Sequence, residues 1–195
     1  MNVEDFFMAI KIFVDQGHNP RNPNAGAEGN GLREQDITYA VGVALAELLR
    51  ADPNFDVLLS RSSPDEVLGT SNAESLAARV NAANSWGADA FISVHTNASN
   101  ITSATGSEGY VFSASSPAFA LTEDIIEELS EVTGFPARGV FVRPSLYVLR
   151  RTAMPATLIE IGFITNPEEA ALMSRQPGLY ALGIYGGIKE YYGVD

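Results

Sequence analysis

Strands and helices alternate along this 195-residue chain, which predicts an α/β fold: a single domain with a twisted, mostly parallel sheet flanked by helices on both faces. Three observations carry that expectation. Short β-branched and aromatic runs end in turn residues, as buried strands do. Between them lie segments whose apolar residues recur at helical spacing. Helix-start chemistry recurs at Ser71, Ser116 and Asn166. A length near 200 fits one domain, and no internal repeat, linker or low-complexity block divides the chain.

Ile10–Asp15 is the first strand. Residues 16–31, rich in Gly, Pro and Asn, form a long loop, and loops of this length inside compact domains tend to be functional. Ile37, Val41, Leu45 and Leu48 mark a helix over Glu34–Arg50, broken at Asp52-Pro53-Asn54. Phe55–Ser60 is the second strand. Ser71-Asn72-Ala73-Glu74 has the form of a capping box and opens a helix to Trp86. It turns Leu76, Val80 and Ala83 inward, and Gly87 closes it. Ala90–His95 is the third strand, and a polar loop over Thr96–Ser107 leads to a strand at Gly109–Ser113. Ser116-Pro117 starts a helix to about Val132. Val140–Arg143 and Leu146–Arg150 read as short strands around Pro144. Ala156–Ile161 is a further strand, Asn166-Pro167-Glu168-Glu169 starts another helix, and Tyr180–Tyr192 supplies the last.

Charge and composition narrow the function. Against 12 Lys+Arg stand 24 Asp+Glu, a net charge of −12. Nucleic acid and anionic membranes are therefore disfavoured, because both are bound chiefly by Lys and Arg. No cysteine is present, so disulfides, thiolate metal sites and cysteine nucleophiles are excluded. The most apolar runs, Ile37–Ala46 and Gly178–Ile188, stop short of a bilayer's thickness. Glu4 and Asp5 stand where a secretory signal would be positive, so no signal peptide is expected and residues 1–9 read as a leader or flexible terminus.

The chain has two histidines, His18 just past the first strand and His95 at the end of the third. In an open parallel sheet the strand C-termini share one edge, where ligands bind, so both rings reach that edge. Glu34, in the first turn of the first helix, and Glu160, in Leu158-Ile159-Glu160-Ile161-Gly162, join them there. Two imidazoles and a carboxylate form a known catalytic zinc set with one coordination position open. A further carboxylate outside that set can take a proton from water and pass it to a leaving amine. Glu34 alone would be a helix-dipole carboxylate. Glu160 is harder to dismiss, because a carboxylate in an apolar strand needs a partner to offset its desolvation. No Gly-x-Ser-x-Gly elbow, Gly-x-Gly-x-x-Gly or Gly-Lys-Ser/Thr occurs to support a serine triad or a phosphate cradle.

Several neighbours have two readings. Asp15 is a third ligand or supports His18 and its loop. Arg61 and Arg79 hold a substrate carboxylate or serve as ordinary ion-pair residues. Asn97 is a substrate contact or a turn-former, and Asp36 and Glu108 are expected in solvent.

Four segments in order, Val14-Asp15-Gln16-Gly17-His18, Gly29-Asn30-Gly31-Leu32-Arg33-Glu34, Ser93-Val94-His95-Thr96-Asn97 and Ile159-Glu160-Ile161-Gly162-Phe163-Ile164-Thr165-Asn166, resemble those of the zinc-dependent N-acetylmuramoyl-L-alanine amidases. The resemblance runs from about Ile10 to Tyr192. It implies one Zn²⁺ held by His18, Glu34 and His95, with Glu160 as catalytic general base and acid. The implied reaction is hydrolysis of the amide joining the lactyl group of N-acetylmuramic acid to L-alanine in peptidoglycan. Asn19-Pro20 stand where the family usually has glycines after Gly-His. Some relatives insert a plug before the glutamate. Here the stretch between His95 and Glu160 is filled by predicted elements, and an open groove is expected.

Peptidoglycan is then the expected partner, the bacterial cell wall the expected place of action, and a monomer the expected state. Arg61, Arg143 and Arg79, together with Asn97, are the candidates for substrate contacts. A zinc peptidase or deacetylase on the same scaffold, and a non-catalytic wall-binding module, are the competing readings.

Overall fold

The computed structural model describes residues 8–194; positions 1–7 of the expected leader lie outside them. One six-stranded sheet organises the chain. Its strands are β1 (Ile10–Gln16), β4 (Phe55–Leu59), β5 (Ala90–Asn97), β6 (Ser107–Val111), β7 (Ala137–Val142) and β8 (Ala156–Phe163), in the order β4-β1-β5-β8-β6-β7. β4, β1, β5 and β8 run parallel, whereas β6 is antiparallel to β8 and β7 follows β6. A small hairpin, β2 (Glu28–Gly29) with β3 (Leu32–Arg33), closes the long loop after β1. Among the described residues no helix is long and apolar enough to cross a membrane.

Side chains alternate across the pleat, and the two faces of the sheet carry separate cores. Ile12, Val14, Ile92, Val94, Ile159 and Ile161 face one side. There they pack against α1 (Glu34–Ala51), α3 (Ala118–Thr133) and α6 (Pro177–Tyr192). Phe13, Phe91 and Leu158 face the other, under α2 (Asn72–Trp86) and the short α4 (Tyr147–Arg151). The helices thus cover both faces, as the alternation predicts.

Side-chain caps mark where two of the helices begin. Ser71 Oγ accepts from Glu74 N at 3.2 Å, but the Glu74 carboxylate returns to Thr70 N at 2.7 Å, one residue earlier than in a reciprocal capping box. Asn166 caps α5 (Pro167–Arg175), its side chain accepting from Glu168 N and Glu169 N. Glu169 then turns inward and its carboxylate accepts from Phe163 N and Gly106 N. This ties the end of β8 to the loop before β6.

One element differs from expectation. Leu146–Arg150 is not a strand: residues 147–151 form α4, and strand β7 starts earlier, at Ala137. Val148 and Leu149 are both buried, which consecutive residues of a helix can achieve against one neighbour but which a strand would send to opposite faces. An apolar run this short cannot be assigned by periodicity.

The connections place the site. β1 leads through α1 outward to β4, and β4 returns through α2 to β5 on the other side of β1. The chain therefore reverses its direction of travel between β1 and β5, and a crevice opens beyond the carboxyl ends of strands at such a point.

Candidate metal centre

His18 leaves the end of β1 and His95 occupies β5, so the two imidazoles flank that crevice, with ring centroids 4.8 Å apart. Glu34 is the first residue of α1, where the helix dipole favours a carboxylate. Its Oε1 lies 3.1 Å from His18 Nε2 and 3.0 Å from His95 Nδ1. Backbone donors fix the same carboxylate, Thr96 N on Oε1 at 3.0 Å and Ala27 N on Oε2 at 2.8 Å. Burial by itself would raise the Glu34 pKa, but the hydrogen bonds and charges of the two rings outweigh it and hold the carboxyl well below the usual range.

Two glycines make the convergence possible. A Cβ on Gly17 would stand 2.6 Å from His95 Cε1, and one on Gly26 would stand 2.8 Å from both Glu34 Oε2 and His18 Cδ2. His18 adopts a left-handed backbone, φ 66°, costly for a residue with a Cβ and kept only when the surroundings enforce it. Arg79 enforces it. Its Nη2 donates to the His18 carbonyl at 2.5 Å, and its Nη1 donates to Asp15 Oδ1 and to the Gln16 carbonyl. Asp15 also accepts from Ser93 Oγ at 2.7 Å. Burial raises its pKa, and the Arg79 charge with these hydrogen bonds reverses the shift to a net lowering. Asp15 is thus support for the His18 loop, acting through Arg79.

A row of side chains crosses the sheet beside the rings. His95 pairs with Glu160 in the β5–β8 register, and Glu160 with Glu108 in the β8–β6 register, so all three share the face that carries α2 and α4. Glu160 Oε2 is buried without a hydrogen-bond partner. Burial, reinforced by the charges of Glu34 and Glu108, pushes the Glu160 pKa up to about 8. Glu108 is not in solvent. Its side chain is 12% exposed, and it accepts from Arg138 Nε at 2.5 Å, Tyr110 Oη at 2.7 Å and Asn97 Nδ2 at 3.4 Å. The strand position conceals this in the sequence, because only the antiparallel pairing with β8 brings Glu108 beside Glu160.

Arg61, a candidate substrate contact, is a buried residue in the structure. It is 1% exposed, donates to the Gln35 carbonyl at 2.9 Å and lies over the Tyr39 ring, which makes it part of the scaffold under α1. Arg79 is likewise 2% exposed, and both its Nη atoms are engaged with Asp15 and the β1 end. Asn97 turns its Oδ1 to Ala98 N while its amide faces Glu108. Asp36 is exposed and paired with Arg33. A cavity of about 140 Å³ joins His18 and His95 to Leu146, Tyr147 and Val148. α4 thus walls one side of the groove, and the rings keep 20% and 17% of their side-chain surface open.

Donor atoms of His18, Glu34 and His95 all lie within 4.8 Å of one another. Two imidazole nitrogens and a carboxylate oxygen fit a zinc-type ion with an open position. The sequence pattern of the N-acetylmuramoyl-L-alanine amidase family matches residues 12–190. The chain belongs to that family. It is 41% identical over 163 residues to the amidase CwlM of Bacillus licheniformis, covering 83% of this chain and 59% of that protein. To the sporulation-specific amidase of Bacillus subtilis it is 38% identical over 189 residues, covering 95% and 69%. The family fold is shared as well. The CwlD amidase of Clostridioides difficile, solved in complex with the GerS lipoprotein, superposes with a TM-score of 0.86 at 28% identity, covering 95% of this chain and all (100%) of that one.

Proposed function

We propose that this family member is a zinc-dependent amidase that hydrolyses the bond between the lactyl group of N-acetylmuramic acid and L-alanine in peptidoglycan at the bacterial cell wall. The observation that carries the reading is the partnerless carboxylate of Glu160 beside a triad of metal-ligand type: His18, Glu34 and His95 would hold the ion, and Glu160 would move the proton. A zinc ion in that triad supplies Lewis-acid polarisation of a carbonyl and lowers the pKa of water to about 7.

The chain's own groups then account for the remaining steps. Glu34, whose carboxylate is held by Ala27 N and Thr96 N, and His18, whose backbone carbonyl is held by Arg79, are placed before any ligand arrives, so less is lost in ordering them. In the metal-free protein burial pushes the Glu160 pKa up to about 8, toward the range where a general base that must later act as an acid works. It takes the proton from the attacking water and returns it to the departing amine of L-alanine. With a cation held by His18, Glu34 and His95, the Glu34 charge that helps to raise the Glu160 pKa would be offset and the Glu160 carboxylate form favoured.

Digestion of purified peptidoglycan by the zinc-loaded protein tests this reading. The expected products are free muramoyl lactyl carboxylates together with peptides bearing a new L-alanine N-terminus. Release of single amino acids or of acetate would mean a peptidase or deacetylase, and binding to sacculi without turnover would mean a wall-binding module. Glu160→Gln should keep one zinc per chain and lose about 10²–10⁴-fold in turnover, the usual worth of a positioned general base.

A further inference from the structure

Beyond Glu160 the same face of the sheet continues to the edge strand and carries a cation there. Tyr110 and Phe141 are register partners on β6 and β7, and their rings lie 6.3 Å apart. Arg143 follows directly after β7, its guanidinium carbon 5.2 Å from the Tyr110 ring centre and 5.8 Å from that of Phe141. Its backbone is anchored on both sides: Arg143 N donates to the Val111 carbonyl at 2.8 Å, and Leu146 N donates to the Arg143 carbonyl at 3.2 Å. This is the corner at which β7 turns into α4, and Leu146 and Tyr147 at the start of that helix line the cavity shared with His18 and His95. Tyr110 links the two regions, because its hydroxyl donates to Glu108, the register partner of Glu160.

The charge of Arg143 is unmatched. Its guanidinium makes one hydrogen bond, Nη1 to the Val142 carbonyl at 3.2 Å, and no carboxylate of the described residues lies within ion-pair distance. Arg79 and Arg138, the other cations of this region, are committed to Asp15 and Glu108. Stacking on aromatic rings steadies a guanidinium and leaves its forked N–H edge free for the two oxygens of a carboxylate. In a protein of net charge −12, an acidic ligand would otherwise be repelled.

Resting on the amidase reading above, we propose that Arg143 is a substrate-binding residue that takes a free carboxylate on the peptide part of the substrate, with Tyr110 and Phe141 as its platform. The residue selects among peptides and takes no part in the bond cleavage.

Two soluble muramoyl-peptides that differ only in having their peptide carboxylates free or converted to carboxamides test the assignment, with kcat and KM measured for the zinc-loaded wild type, Arg143→Met and Arg143→Lys. The wild type should favour the free acid by about tenfold, chiefly in KM, the scale of one charge-assisted contact. Arg143→Met should bring the ratio close to one by raising KM for the acid, with kcat within about twofold, and Arg143→Lys should keep part of the preference. Raising the salt concentration should shrink the wild-type preference. Equal use of both substrates by the wild type, or an equal loss on both in Arg143→Met, overturns the assignment and leaves the amidase reading standing. A wild type that cleaves neither overturns the amidase reading, and this proposal with it.

Discussion

His95 and Glu160 face each other across the parallel pairing of β5 and β8, one strand spacing of about 4.8 Å apart along the hydrogen-bonding direction. A rigid sheet, not a loop, therefore sets the separation between an imidazole of the triad and the carboxylate proposed to transfer the proton. The consequences can be measured.

Glu160 should make the metal-free protein less stable as the pH rises. Burial first, then Glu34 and Glu108, lifts its pKa from 4.5 to about 8 in the folded state. The folded chain thus holds a proton that the unfolded chain has released between those values. Its contribution is fully present below about pH 4.5 and is lost as the pH climbs through 8. Urea unfolding of the metal-free protein between pH 5 and 8 should show the wild type losing about 1–3 kcal/mol more than Glu160→Gln over this range. Parallel pH profiles for the two proteins would contradict the assignment.

Zinc added to the metal-free protein should raise its melting temperature. At about a hundredfold excess over the dissociation constant the gain is about 2.7 kcal/mol, or roughly 5–10 °C at this size. His95→Ala should abolish most of the shift in a thermal melt, and chelation should reverse it in the wild type.

Gly26→Ala should impair the site more than the fold. The added methyl group would press on Glu34 Oε2 and His18 Cδ2, each 2.8 Å away. A loss of about 10–100-fold in zinc affinity, the range seen when support for a ligand is disturbed, should accompany a stability change of about 1–2 kcal/mol. Competition against a chromophoric chelator reads the first and urea unfolding the second.

Arg79→Met should destabilise the protein by about 3–5 kcal/mol, because it strands a buried carboxylate at Asp15. The double variant Asp15→Asn, Arg79→Met should recover part of that loss, since it removes the unpaired charge as well. Equilibrium unfolding of the set gives the coupling energy.

Much of this site was legible in the sequence because strand ends are. The runs that end at Asp15 and His95 are short and apolar and stop at turn or polar residues, and a parallel sheet brings their ends to one edge, so His18, His95, Glu34 and Glu160 could be grouped without coordinates. The residues that hold them were not legible. Arg61 and Arg79 look like surface cations until a carbonyl, an aromatic ring or Asp15 closes over them. Glu108 acquires its role only from an antiparallel pairing that no local pattern announces. Gly26 reads as one more loop glycine, although its missing side chain is what lets Glu34 meet His18. Leu146–Arg150 was too short for its period to tell helix from strand.

X-ray absorption at the zinc edge of the loaded protein tests the central claim most directly. The account predicts one zinc per chain with two imidazole nitrogens at about 2.0–2.1 Å and a carboxylate oxygen at about 2.0–2.2 Å, with one imidazole lost in His95→Ala. A spectrum without two imidazoles, or one that His95→Ala leaves unaltered, would contradict it.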